Sequence, residues 1–206
     1  MPSPLPALII IDMQQAMARI EGNPPRNNPQ AESNIDQLLK AWRSAGALIV
    51  HVRHMSRDPK SPFWPGQGGA EFQPDLAPRD NEHVVEKNVP DAFAQSGLER
   101  WLHQRDVKEL VITGVSTNNS VEATARSAGN LGFKTRVVAD ACFAFDKADH
   151  AGTNRTAAEV HAMSLANLAG EYAEIIETAA LLPLTGPKRP TVFAQAGITT
   201  IGDDRF

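Results

Sequence analysis

Three residues with reactive side chains each follow a run of apolar, β-branched residues. Asp12 follows ALIII, Lys87 ends HVVEK, and Ser120 lies shortly after ELVITGV. In an open sheet of parallel strands, ligands bind at the carboxyl ends of the strands, so three such ends can converge on one crevice. We therefore predict that a carboxylate, an ammonium group and a hydroxyl meet there and form a catalytic site.

The chemistry that suits this trio is acyl transfer. A carboxylate beside a nucleophile can remove its proton and later return it to a leaving amine, while an ammonium group orients the carboxylate and keeps it ionised. Backbone N–H groups in the turn between Val115 and Ser120, at the start of a predicted helix, would stabilise a developing oxyanion.

The elements that must position these residues alternate along the chain. Six near-continuous apolar runs predict strands buried on both faces, and helical spacing between them predicts parallel crossovers. The strands are predicted at residues 7–11, 47–52, 83–87, 109–115, 135–141 and 173–179, and the helices at 35–42 (with Gly46 as the stop), 98–104, 121–131 and 155–168. The pattern favours a single-domain, three-layer α/β fold with a six-stranded, mainly parallel, Rossmann-like sheet.

Two segments interrupt this alternation. Residues 54–82 are rich in Pro and Gly and form a connection much longer than usual, which predicts a lid or pocket wall. Residues 183–206 follow the last predicted strand and contain apolar pieces that a disordered tail would usually lack. We predict a domain at 1–182 and a tail packed on it or on a neighbouring subunit.

Composition excludes several classes of function. The chain has 206 residues and a formal net charge of −4, which provides no basic field for nucleic acid. No apolar run approaches the roughly 18 residues that span a bilayer, and the N-terminus lacks the basic region of a signal peptide. Cys142 is the single cysteine, and we interpret it as a small buried apolar residue. We expect a soluble, cytoplasmic protein that acts on a small molecule.

Five further stretches occur in an order that resembles one enzyme family. They are LIIIDMQ (8–14), SPFWPGQGGAEF (61–72), VVEKNVPDAF (84–93), VITGVSTNNSVEATARSA (111–128) and VVADACFAFD (137–146). Together they resemble the isochorismatase-like hydrolases, also called cysteine hydrolases. AEVHAMSLANLAGEYAEI (158–175) is similar to the closing helix and strand of that family, so the resemblance covers roughly residues 5–180.

The resemblance implies a role for each residue of the trio. Asp12 matches the catalytic aspartate, Lys87 the catalytic lysine, and Ser120 the position of the nucleophilic cysteine. It also implies a cis peptide between Val115 and Ser116, with the N–H groups of Ser116 and Ser120 forming the oxyanion hole. The candidates for the substrate-binding wall are Phe63, Trp64, Phe93, Asn119 and Phe145.

Serine at position 120 leaves three interpretations open. A hydroxyl is far less acidic than a thiol and normally needs a histidine base, but no histidine falls in the three family motifs that contain the trio, at 8–14, 84–93 and 111–128. The chain could carry a Cys-to-Ser substitution that traps substrate, or a natural serine in an isochorismatase whose Asp12 protonates a vinyl ether. It could also be an inactive relative that only binds a ligand. PDAF, FWPGQGG and VEATARSA resemble the branch that cleaves amides and ureides, which favours hydrolysis of a small amide, carbamoyl or ureide C–N bond.

Neither a metal nor an organic cofactor is predicted. The nicotinamidase branch of the family uses a carboxylate and histidines as metal ligands, but the acidic residue is missing near His51 and His54. We interpret these histidines as polar residues at a loop edge. The GQGG at 66–69 neither follows a strand nor opens a helix, so it is not a dinucleotide fingerprint. The resemblance finally implies a homo-oligomer, a dimer or a tetramer.

Overall fold

The apolar runs form one sheet of parallel strands in a computed structural model that describes residues 5–18 and 22–185, with the side chains of 183–185 left aside. The strands are β1 (Ala7–Ile11), β2 (Ile49–His54), β3 (His83–Lys87), β4 (Glu109–Val115), β5 (Lys134–Phe143), a short hairpin of β6 (Lys147–Ala148) and β7 (Asn154–Arg155), and β8 (Glu174–Ile176). The helices are α1 (Ala31–Ala45), α2 (Leu98–His103), α3 (Glu122–Asn130), α4 (Ala157–Leu168) and α5 (Thr178–Thr185).

The order of strands in the sheet is β3-β2-β1-β4-β5-β8, and every neighbouring pair is parallel. The chain first moves outward from β1 to β3 and then returns to place β4 on the other side of β1. The order therefore reverses between β1 and β4, and this reversal is where open α/β sheets form a ligand crevice. Asp12 and Ser120 follow these two strands.

Both faces of the sheet are buried, which explains why its strands are apolar without alternation. On β1, Leu8 and Ile10 pack toward α1 and α5, whereas Ile9 and Ile11 pack toward α2, α3 and α4. The resulting three layers confirm the predicted fold class. Among the described helices, none has both the length and the apolar character needed to cross a membrane.

The last predicted strand is shorter than expected. The apolar run at 173–179 forms a strand only at Glu174–Ile176, because α5 begins at Thr178. The Asp140 carboxylate accepts hydrogen bonds from the Thr178 N–H and hydroxyl, both at 2.8 Å, and so caps the new helix. Helix α5 continues past the predicted boundary at residue 183, and the predicted tail beyond Thr185 lies outside the described residues.

The long connection between β2 and β3 is built from turns and two short 3-10 helices, Gly68–Ala70 and Pro74–Leu76. It is tied to the segment after β1 by backbone hydrogen bonds from Gln15 to Glu71 at 2.8 Å and from Gln73 to Met13 at 3.0 Å. The connection therefore lies against the same edge of the sheet as Asp12.

Candidate active site

Asp12, Lys87 and Ser120 meet at the carboxyl edge of the sheet, as their strand-end positions predict. The Nζ atom of Lys87 donates to Oδ2 of Asp12 at 2.8 Å and to Oγ of Ser120 at 3.2 Å. All three residues are buried, with exposed fractions of 2%, 4% and 5% respectively. The ammonium group therefore bridges a carboxylate and a hydroxyl away from bulk water, where electrostatic interactions are strong.

The position of Asp12 depends on an uncommon backbone conformation. Its φ angle is 52°, in the left-handed region that residues with a Cβ seldom adopt. Its N–H donates to the Val52 carbonyl at 2.9 Å, and its own carbonyl accepts from the Gln14 N–H at 2.7 Å. These two bonds hold Asp12 between β2 and the following turn, and strain of this kind clusters at functional sites.

A glycine lets the two central strands approach beside Asp12. Gly114 in β4 is paired with Ile11 in β1, and a Cβ on Gly114 would lie 2.1 Å from the Ile11 carbonyl oxygen. The φ angle of Gly114 is 118°, which also disfavours any other residue. The strand ends that carry Asp12 and Ser120 are therefore brought together by the absence of one side chain.

The protonation of Asp12 is set by burial and by its partner. Burial raises the pKa of Asp12 above its ordinary value, although the ammonium of Lys87 and the hydroxyl of Ser120 act against this rise. Its second oxygen, Oδ1, is buried and accepts no well-formed hydrogen bond from the described residues. A carboxyl group with one free oxygen and a raised pKa can both take up and release a proton.

The turn that carries Ser120 is a wide π-helical turn, Thr117–Val121, directly before α3. The peptide between Val115 and Ser116 is cis, which confirms the prediction from the family resemblance. The N–H groups of Asn119 and Val121 both donate to the Ser116 carbonyl, at 3.0 and 3.2 Å. These two groups are therefore occupied and are not available to an oxyanion.

Of the predicted wall residues, Phe63 lies beside His54, the last residue of β2. It is half-buried in the long connection, and its ring contacts His54 edge to face, with centroids 5.8 Å apart. Trp64 follows it in the same turn and is also half-buried, while Asn119 is exposed. The connection thus brings aromatic side chains toward the edge of the sheet that holds Lys87.

Two of the other predicted wall residues have packing roles. The ring of Phe93 stacks on Phe133 with centroids 5.9 Å apart and packs against the core on the α2 and α3 side. The ring of Phe145 meets Phe143 edge to face at 5.6 Å and packs against the core on the α1 side. Core packing therefore accounts for both rings, and their contact with a substrate stays a prediction.

Sequence reasoning overlooked Gln14, which holds the site together. Its side chain is fully buried; its amide donates to the carbonyls of His54 at 2.9 Å and Ala70 at 2.8 Å, and its Oε1 accepts from the His54 N–H at 2.8 Å. One side chain thus joins the end of β2 to the long connection. Its place two residues after Asp12, at the same strand end, was the available signal.

The interpretation of His51 and His54 as loop-edge residues is wrong, since both lie in β2. His54 is half-buried, and its backbone is paired in register with Lys87. Burial and the nearby Lys87 ammonium lower the pKa of His54, although Asp12 acts the other way, so its ring is neutral at pH 7. His54 is therefore a further residue of the candidate site, because β2 begins and ends two residues later than the predicted strand at 47–52.

His51 belongs to a separate buried network. Its Nε2 lies 2.9 Å from Oε2 of Glu82, and Arg43 holds the same carboxylate through two hydrogen bonds at 2.7 and 2.9 Å. Burial lowers the pKa of His51. Among the residues that the structure describes, no group of three or more His, Cys, Asp and Glu side chains could hold a metal ion.

Cys142 is fully buried in β5, and burial raises the pKa of its thiol. A buried thiol with a raised pKa is a poor nucleophile. The interpretation of Cys142 as a small buried apolar residue is confirmed.

The comparisons with known proteins agree with this architecture. The isochorismatase domain model matches residues 6–180. A crystal structure of a hydrolase of the isochorismatase family from Chromobacterium violaceum has 49% sequence identity and a TM-score of 0.85, and the match covers 90% of this chain and 99% of that one.

Two relatives add sequence evidence. The isochorismatase family protein YrdC of Bacillus subtilis is 38% identical over 176 residues, which is 85% of this chain and 94% of the relative. Ureidoacrylate amidohydrolase RutB of Variovorax paradoxus is 28% identical over 169 residues, which is 66% of this chain and 67% of the relative. With its matching domain model and its parallel sheet, the chain belongs to the isochorismatase family of hydrolases.

Proposed function

We propose that this hydrolase cleaves the C–N bond of a small amide, carbamoyl or ureide substrate by a covalent route through position 120. The observation that carries the proposal is the buried Lys87 ammonium, which lies 2.8 Å from Asp12 and 3.2 Å from Ser120. Acyl transfer needs a nucleophile, a proton carrier and a fixed positive charge at such distances. Similarity to an amidohydrolase supports the choice of bond.

In the proposed reaction, Asp12 accepts the proton of the nucleophile at position 120 as that atom attacks the carbonyl carbon. The N–H groups of Ser116 and Ser120 stabilise the oxyanion, and Asp12 then gives its proton to the leaving nitrogen as the C–N bond breaks. Water, deprotonated by Asp12, hydrolyses the acyl intermediate and releases residue 120 with its proton restored. Lys87 orients the carboxylate throughout and balances its charge.

The nucleophile at position 120 limits the rate in this proposal. A serine hydroxyl is much harder to ionise than a thiol, and Asp12 is a weak base for it even with a raised pKa. A thiol at this position would become a thiolate beside the Lys87 ammonium. We therefore expect Ser120→Cys to increase the rate of amide hydrolysis by about two orders of magnitude or more.

The test compares ammonia release by the Ser120 chain and by Ser120→Cys over a panel of small amides, carbamoyl compounds and ureides. Isochorismate is measured alongside. A large gain confined to the cysteine form supports the covalent route. If both forms are equally inert toward every amide and hydrolyse isochorismate at the same rate, the covalent proposal is wrong.

The raised pKa of Asp12 favours a second candidate reaction, the hydrolysis of a vinyl ether. A buried carboxyl group that holds its proton at higher pH is suited to protonate a vinyl ether carbon, and that reaction needs no covalent nucleophile. The same isochorismate assay tests it, because Ser120→Ala would then keep the activity that Asp12→Asn loses.

We also propose that the chain forms a homo-oligomer. An open groove of about 780 Å³ beside Asn118 is lined by Val160, Ala162 and Met163 of α4, and Met163 is 64% exposed. A second copy of the chain would cover this apolar surface. Light scattering on the full chain should give at least the mass of a dimer, and the mass of a monomer would contradict the proposal.

A further inference from the structure

Helix α4 contacts the turn that carries Ser120 through two polar side chains one helical turn apart. The Nδ1 atom of His161 lies 2.8 Å from the Thr117 hydroxyl, and the Ser164 hydroxyl donates to the Thr117 carbonyl at 2.8 Å. Thr117 is fully buried. The turn is therefore held by another helix through both the side chain and the backbone of one residue.

The hydrogen-bond pattern of this turn explains why such support matters. The N–H of Glu122 reaches back to the Thr117 carbonyl, five residues earlier, which is the wide spacing of a π turn. Turns of this kind are short and rare, and they occur frequently at functional sites. Their geometry depends on their neighbours more than that of a regular helix does.

His161 has one short polar partner among the described residues, and that partner is Thr117. Asn28 lies 3.5 Å from Nε2 of His161, but its amide already donates to the carbonyls of Ala139 at 2.8 Å and Cys142 at 2.6 Å. Both amide hydrogens are used in this way, so none remains for the imidazole. Burial lowers the pKa of His161, so its ring is neutral at pH 7.

We propose that His161 is a positioning residue, which acts through Thr117 to fix the turn that presents residue 120 and the N–H of Ser116. The inference rests on the proposed function of that turn. Catalytic groups must be held to a fraction of an ångström, and a displacement of about 1 Å can reduce a rate about a hundredfold. The contact at 2.8 Å links α4 to the side chain of Thr117, and the hydrogen bond from Ser164 links α4 to its backbone.

The test uses the full chain with Ser120→Cys and measures alkylation of the introduced thiol by iodoacetamide over a range of pH. Mass spectrometry of the modified peptide separates it from the buried Cys142. The rate reports the pKa and access of the introduced thiol without any substrate. Because the Lys87 ammonium and the turn favour the thiolate, a displaced turn should slow alkylation at neutral pH.

Paired variants separate the effect of losing the hydrogen-bond contact from the effect of changing the size of the side chain. We expect His161→Gln and Thr117→Val to lower the alkylation rate about tenfold at pH 7, since each removes one partner of the contact. His161→Asn keeps a polar atom near the position of Nδ1, and Thr117→Ser keeps the hydroxyl, so both should stay close to the parent rate. The double variant Thr117→Val with His161→Gln should be no slower than the slower single variant, because both remove one interaction.

Thr135→Val is the matched control. Thr135 is also buried, but its hydroxyl donates to the Phe133 carbonyl at 3.1 Å at the opposite edge of the sheet. Its loss should lower the melting temperature without changing the alkylation rate. A merely structural role for His161 would produce the same pattern.

The proposal is overturned if His161→Gln and Thr117→Val lower the melting temperature as the control does but leave alkylation unchanged, or if their effects on alkylation add. If His161→Gln does not fold, Thr117→Val and Thr117→Ser decide the question. Since iodoacetamide replaces the substrate, failure of the chain to hydrolyse amides would refute the proposed function and leave this test intact.

Discussion

Two carboxylates with little exposed side chain lie beside cations in different parts of the fold, and their environments differ in one respect. Asp12 has one charged partner, Lys87, and keeps one oxygen without a well-formed hydrogen bond from the described residues. Glu82 accepts two hydrogen bonds from the Arg43 guanidinium and one from the Arg79 N–H at 2.9 Å, and its Oε2 also lies beside Nε2 of His51. The first carboxylate is only partly satisfied, and the second is saturated.

The pKa values follow this difference. Burial acts to raise both, but the hydrogen bonds from Arg43, Arg79 and His51 overcome it and lower the pKa of Glu82 to about 2. For Asp12, burial prevails and the pKa is raised. A saturated carboxylate is locked in its charged form and serves stability, whereas a partly satisfied one can exchange a proton and serve chemistry.

The largest expected effect is on catalysis. Asp12→Asn, made in the Ser120→Cys form, should reduce the rate of ammonia release about 10²- to 10⁴-fold, because the amide cannot carry a proton. Glu82→Gln should leave the rate unchanged at a temperature where it is folded. Equal losses of rate in the two variants, measured with melting curves for each, would show that the comparison is wrong.

Lys87→Ala should have the next largest effect. Made in the same Ser120→Cys form, it should reduce ammonia release about a hundredfold or more, because the charge that orients Asp12 and faces residue 120 is lost. Lys40→Ala, which removes an exposed lysine that pairs with Asp36 on α1, is the control and should keep the parent rate. Unchanged turnover in Lys87→Ala would place the chemistry elsewhere.

Glu82→Gln should have its effect on stability. Removing one charge from a largely buried, hydrogen-bonded pair leaves the Arg43 guanidinium without its counterion, and such losses amount to about 3–5 kcal/mol of unfolding free energy. Denaturant titration would measure the change. Glu86→Gln, which removes an exposed partner of Arg53, is the control and should change stability by less than about 1 kcal/mol. A Glu82→Gln variant as stable as this control would contradict the claim that the network around Glu82 stabilises the fold.

The smallest effect is on the acid dependence of stability. Because the pKa of Glu82 falls to about 2 on folding, its contribution is present above the ordinary pKa of 4.5 and is lost as the pH falls toward 2. The difference in melting temperature between the parent and Glu82→Gln should therefore shrink as the pH is lowered through this window. A difference in melting temperature that stays constant down to the lowest pH would show that the charge of Glu82 does not contribute to stability.

Local patterns were sufficient to predict the fold class and which three residues meet at the candidate site. The near-continuous apolar runs identified the strands, and the positions of Asp12, Lys87 and Ser120 after three of those runs placed them at one edge. The last run is an exception, because a contact from a residue distant in sequence ends the strand. The run at 173–179 became a short strand because the Asp140 side chain caps a helix at Thr178, a contact that joins residues 38 apart.

The supporting residues could not be predicted in the same way. Gln14 joins residues 40 and 56 positions away, and His161 contacts Thr117 across 44 positions. A buried glutamine or histidine has the same appearance in a sequence as an exposed one. Only the packing of the elements shows which polar side chains are removed from water and which partners they find.

The sequence by itself determined the alternation of the six sheet strands with helices α1 to α4, the apolar character that buries the sheet, and the presence of a carboxylate, an ammonium group and a hydroxyl at three strand ends. Those properties depend on residue type and spacing along the chain. The tertiary structure alone decided that Lys87 bridges Asp12 and Ser120 and that Asp12 has a raised pKa while Glu82 has a lowered one. Distances and burial set these properties, because the free energy of a charge depends on how completely folding replaces its lost water with partners.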